Sequence, residues 1–144
     1  MRVMVIVKAD KNSEVEVMPD EKSIAEMTKF NEELVKSGVM LAAEGLQPSS
    51  KGKRVVYSNG KIKFFDGPFT ETKELIAGYW LWQVKSMDEA VEWTNRIPFS
   101  TAFPAGTEVN IEIRPMYDMD DFAPELKAQD ESQRQRATAN TYRS

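Results

Sequence analysis

An α+β fold is what this sequence predicts, and three observations predict it. Arg2–Lys8 and Ala77–Val84 are apolar on both alternating faces, as strands in the middle of a sheet are. Two further segments repeat apolar residues at helical spacing. Between them, Asn59-Gly60 separates two strand-like runs, the strongest short hairpin signal, because both positions of a type I′ turn need φ > 0.

The elements follow in order. "RVMVIVK" (Arg2–Lys8) is a first strand, with Val3, Val5 and Val7 on one face and Met4 and Ile6 on the other. Pro19-Asp20-Glu21 opens a helix, with acidic residues at the positive end of its dipole. Ile24, Met27, Phe30, Leu34 and Val35 form its apolar stripe, and Gly38 stops it. "VMLAAEGLQP" (Val39–Pro48) is a second strand that leaves its ladder near Gly45. The hairpin "KRVVYSNGKIKFFD" comes next, then the strand "AGYWLWQV" (Ala77–Val84), with Trp80, Trp82 and Val84 opposite Tyr79, Leu81 and Gln83. Ser86 and Glu89 fit a capping box. The helix after them is expected to carry Met87, Ala90, Val91, Thr94 and Ile97 on one stripe, with Trp93 at its margin and Pro98 at its end. Thr107–Pro115 alternates cleanly, as an edge strand with one wet face does.

Without the hairpin this order is βαββαβ, the ferredoxin-like pattern. Its central strands are the first and third, the two that are apolar on both faces. The helices cover one face only, so the other carries an apolar patch too large to stay in water. A homodimer that pairs two sheets face to face would bury it. Residues 1–115 form this domain. Residues 116–144 are a polar C-terminal extension, expected to be partly disordered or packed on a partner subunit, with Tyr117 and Phe122 anchoring its start.

Composition narrows the chemistry. The 144 residues suffice for one core, and 41% are hydrophobic. A net charge of −4 with no basic stripe argues against nucleic-acid binding. The apolar start before Lys8 and Asp10 is too short for a signal peptide or membrane span, so a cytoplasmic protein is expected. There is no Cys and no His. That removes thiolate nucleophiles, Ser-His-Asp arrangements and most transition-metal sites. Only a hard, oxygen-ligated metal would remain, and nothing in the residues calls for a metal or a cofactor.

"AAEGLQP" (Ala42–Pro48), "DGPFTETKE" (Asp66–Glu74), "AGYWLWQV" and "SMDEAVEWTNRIP" (Ser86–Pro98), in this order and spacing, resemble the YCII-related family, specifically its DGPF-domain branch. The resemblance runs from Met1 to about Pro115. It implies a dimeric α+β barrel of two ferredoxin-like subunits, and small-molecule chemistry at a His–Asp pair in the cleft between helix and sheet. Half of that pair is absent here. It also implies, for some members, a link to sigma factors of the extracytoplasmic-function type, which here would run through a partner.

Asp66 is the candidate catalytic residue, as a carboxylate facing a cleft. The competing use is structural: its side chain can hold the Asp-Gly-Pro turn through backbone N–H groups. Glu71 and Lys73 follow it, either as a ligand-binding pair or as a solvated first helical turn. Glu44, Gly45 and Tyr79 are candidate ligand-binding residues on the neighbouring strands, where Gly45 would admit a bulge or a close-lying ligand. Three functions compete: a small-molecule-binding protein that, if catalytic, uses a carboxylate for proton transfer, isomerisation or elimination; a non-catalytic regulatory or interaction module contacting a protein partner through its tail; and a dimer that has lost an ancestral activity.

Overall fold

The computed structural model describes residues 1–15 and 17–143. Six strands and four α-helices follow in the order β1 (Arg2–Lys8), α1 (Glu21–Lys36), β2 (Met40–Gly45), β3 (Lys53–Ser58), β4 (Lys61–Asp66), β5 (Ile76–Gln83), α2 (Met87–Thr94), α3 (Phe99–Ala102), β6 (Ile111–Pro115) and α4 (Pro124–Arg143). Four strands make an antiparallel sheet of order β2-β5-β1-β6, while β3 and β4 form a separate ribbon. With the ribbon set aside, this is the ferredoxin-like arrangement, and the two strands apolar on both faces are the central ones.

One face of the sheet holds the core. Cross-strand neighbours Val5 and Trp80, and Val3 and Trp82, lie under Phe30 and Leu34 of α1 and Ala90 and Trp93 of α2. Phe30 meets Trp80, Trp82 and Trp93 edge-on, with ring centroids 5.9, 6.5 and 6.4 Å apart, the geometry that aromatic quadrupoles favour. On the opposite face Met4, Ile6, Tyr79 and Leu81 stay half-buried, and Asp130 and Arg134 of α4 border Met4 and Ile6 there.

Several details differ from the expectations. In α1 the buried residues are Phe30 and Leu34, with Met27 packed beside them; Ile24 and Val35 flank the stripe and are exposed. In α2 Trp93 is buried and Val91 is exposed, because a bulky ring one turn beyond Ala90 fills the space under the helix. The Ser86 hydroxyl caps Glu89 N–H at 3.2 Å, but the Glu89 carboxylate reaches back to the Lys85 N–H rather than to that of Ser86. The strand β2 does end at Gly45, opposite Gly78, but it also carries a register slip between Met40 and Ala42. The last strand begins only at Ile111.

Asn59 and Gly60 adopt φ of 52° and 76°, as the hairpin turn requires. Beyond the ribbon the Gly67-Pro68 peptide is cis, and the charged segment forms a single 3₁₀ turn, Thr72–Glu74, instead of starting a helix. The C-terminal extension begins with Tyr117 packed on Phe122, centroids 5.5 Å apart, and with Arg2 held to the Tyr117 carbonyl at 2.8 Å. It then becomes the helix α4, polar on every side and exposed along most of its length. That exposure accounts for its lack of apolar periodicity. Among the described residues no helix is long and apolar enough to cross a membrane.

Candidate functional site

The N-terminal half of α1 stands off the sheet and leaves a cleft of about 770 Å³. Its floor is Val7, Lys8 and Ala77; its sides are α1, the turn at Asp10–Ser13, and the stretch after α3 around Phe103. A second recess of about 300 Å³ shares Val7, Met27, Asn31, Ala77 and Phe103 with it and runs on to Glu44, Gly45, Gly78 and Trp80. Small residues open this junction. At Gly78 a Cβ would lie 2.7 Å from the Glu44 carbonyl oxygen, so the two strands approach there as only glycine permits.

Polar and apolar residues share the lining of the main cleft. Asn31 sits on the core-facing stripe of α1, and its Oδ1 accepts from Trp80 Nε1 at 2.9 Å. Asp10 Oδ1 accepts from the Ser13 N–H at 2.8 Å, while the Ser13 hydroxyl accepts from the Asp10 N–H and donates to its carbonyl. At the cleft's outer edge, Asp20 caps α1 by accepting from the Ser23 N–H at 2.8 Å. That backbone bond, then the Ser23 side chain, holds the Asp20 carboxyl below its ordinary value. The Ser23 hydroxyl in turn donates to the Thr101 carbonyl and ties α1 to α3. The half-buried Lys8 has no ion-pair partner among the described residues. No three acidic side chains among the described residues converge as a metal ion would need.

The structure distributes the sequence candidates unevenly. Glu44, Gly45 and Tyr79 all border the second recess. The Glu44 and Tyr79 side chains, paired across the ladder, belong to the sheet face away from the helices, because Ala43 pairs with the core residue Trp80. Asp66 lines neither cavity. Its carboxylate pairs with Lys53 Nζ at 2.5 Å, opposite it in the ribbon, and is 75% exposed. Among the described residues no backbone N–H donates to it; the turn is held elsewhere. The Gly67 N–H donates to the Gly52 carbonyl at 3.1 Å, and the Phe69 N–H to the Ser49 hydroxyl at 3.0 Å. The Glu14 carboxylate takes both the Ser49 N–H and the Ser49 hydroxyl. Arg54 stacks on the Phe69 ring at 4.1 Å. Lys73 stands on the 3₁₀ turn and Glu71 just before it, both outside the two cavities.

Sequence reasoning passed over Asp10 and Asn31. Both carried a signal. Asp10 and Ser13 have the spacing of a side-chain-closed turn at a strand end. Asn31 lies four residues after Met27 and three before Leu34, a polar residue on a buried stripe.

Comparison with other proteins places the chain. It is 29% identical over 97 residues to an uncharacterised protein of Rhizobium meliloti (strain 1021), an alignment covering 67% of this chain and 75% of the relative. Among solved structures, 5-chloro-2-hydroxyhydroquinone dehydrochlorinase from Burkholderia phenoliruptrix AC1100, in complex with 2,5-dihydroxybenzoquinone, aligns over 81% of this chain and 94% of its own, at 15% identity and a TM-score of 0.42. The model of the YCII-related domain matches residues 1–117, and the chain belongs to that family.

Proposed function

We propose that this protein binds a small, partly apolar molecule in the cleft between α1 and the sheet. The observation that carries the reading is the cleft itself: about 770 Å³, within the range of ligand pockets, lined by apolar and polar residues side by side. Val7, Met27 and Phe103 would hold the apolar part, and Asn31, Lys8 and Asp10 its polar groups. If the site is catalytic, Asp10 is the carboxylate placed to move a proton, since one of its oxygens has no hydrogen bond among the described residues. Asp66 is then a turn and ribbon residue, and Glu44 and Gly45 border the ligand's far end.

Thermal-shift and tryptophan-fluorescence screening with a metabolite collection tests this, Trp80 being the reporter beside Asn31. A compound that stabilises the wild type should lose its effect on Ala77→Phe, which fills the junction of the two cavities, and keep it on Asp66→Asn. The opposite pattern would move the site to the Asp-Gly-Pro turn.

We also propose a homodimer through the uncovered sheet face. Its support is the half-buried set Met4, Ile6, Tyr79 and Leu81, on the face that the core helices α1 and α2 leave open. The extension borders that face: Tyr117, Phe122 and Arg134 frame a groove of about 520 Å³ with Met4 and Ile6, where a second subunit would meet them. Light scattering at micromolar concentration should give the mass of two chains, and Leu81→Lys that of one.

A further inference from the structure

The β3–β4 ribbon has no use in the cleft, yet it is the most exposed apolar element of the domain. All twelve of its strand residues are exposed, and among the described residues no third strand pairs with it. Its register sorts them cleanly. Val55 faces Phe64 and Tyr57 faces Ile62 across the ladder, so these four side chains share one side. They are 58%, 67%, 72% and 59% exposed. The only charged residues on that side, Lys53 and Asp66, neutralise one another. Arg54, Lys61 and Lys63 all lie on the reverse side.

An isolated two-stranded ribbon is marginal in water unless something covers its apolar side. We propose that the cover is a second copy of this chain, the two ribbons meeting apolar side to apolar side across a two-fold axis. Two features favour that occupant. The apolar side is self-complementary and buries no unpaired charge when it meets its own copy, while Arg54, Lys61 and Lys63 stay on the reverse side, away from the contact. Second, strands of six residues are about 20 Å long, too small a surface to hold two free chains by themselves. The occupant is thus a chain already held nearby, and the inference rests on the sheet-face dimer proposed above. A nucleic acid fits less well, because four apolar side chains offer nothing to phosphates and Arg54 is already stacked on Phe69.

The chain has no cysteine, which makes single-cysteine cross-linking clean. Tyr57→Cys, oxidised at micromolar concentration, should give a covalent pair of chains, whereas Glu92→Cys on the exposed side of α2 should not. The double variant Tyr57→Lys/Phe64→Lys, checked for native circular dichroism, should weaken self-association by roughly tenfold in a dilution series. A wild-type pair of chains in which Tyr57→Cys links no faster than Glu92→Cys, or whose association the double variant leaves unchanged, overturns the ribbon interface alone. A wild type of single-chain mass at every concentration overturns the sheet-face dimer and this inference with it. Binding of a duplex DNA that Lys61→Glu/Lys63→Glu abolishes would assign the ribbon to nucleic acid and overturn it as well.

Discussion

The four-stranded sheet and the β3–β4 ribbon are built from the same kinds of residue and end in opposite states. In the sheet, Val3, Val5 and Trp82 are fully buried. In the ribbon, Val55, Tyr57, Ile62 and Phe64 are all more than half exposed. β-propensity and alternation are alike in both. What differs is the second layer: α1 and α2 lie over one face of the sheet, and among the described residues no helix or strand buries the ribbon. Strand-forming character fixes a ribbon's local structure, but only a covering layer makes it core.

That contrast is broken or sharpened first by removing part of the layer. Leu34→Ala deletes a fully buried side chain of α1 and leaves a cavity in the core cluster, so unfolding in urea should show a loss of about 3–5 kcal/mol. A loss below about 1 kcal/mol would mean that α1 is not what buries the sheet. Next is the hinge between the two regions. A Cβ at Gly67 would lie 1.7 Å from the Ser49 carbonyl oxygen, against backbone that cannot move independently. Gly67→Ala should therefore cost roughly 2–3 kcal/mol by overpacking. Glu14→Ala, which removes the acceptor for both Ser49 donors, should cost about 1–2 kcal/mol, read as a fall in Tm. If either variant were neutral, the ribbon would not be seated by the Glu14–Ser49–Phe69 chain of contacts. In the ribbon itself, Ile62→Thr should change single-chain stability by less than about 0.5 kcal/mol. A cost comparable to that of Leu34→Ala would show that the ribbon already has a cover within its own chain.

The same contrast explains how much could be read from the sequence. Periodicity located every strand of the sheet, both covering helices and the hairpin, because each of those features repeats within a short window. The central position of β1 and β5 was legible for the same reason. The cleft was not. It arises from where α1 stands off the sheet and from residues far apart in the chain, such as Asp10, Asn31 and Phe103, that no local pattern joins. Asp66 drew attention because Asp-Gly-Pro is locally conspicuous. The demand behind the motif is instead steric and distant, since Ser49 leaves room only for glycine at position 67. The helix α4 carried too little apolar periodicity to be read as a helix.

The smallest expected effect concerns how the covering layer begins. Asp20 caps α1, and the Ser23 N–H keeps its carboxyl below the ordinary value of 3.8. A carboxyl with a depressed folded-state pKa adds stability that is fully present above its unfolded value. That stability is lost as pH falls through the folded value. Tm of the wild type and of Asp20→Ala should therefore differ at neutral pH, by less than any core or hinge substitution produces. The two curves should converge as pH drops below 3.8. A difference that stays constant down to pH of about 2 would show that the charged cap contributes nothing as a charge, and that α1 is held in place over the sheet by Phe30 and Leu34 alone.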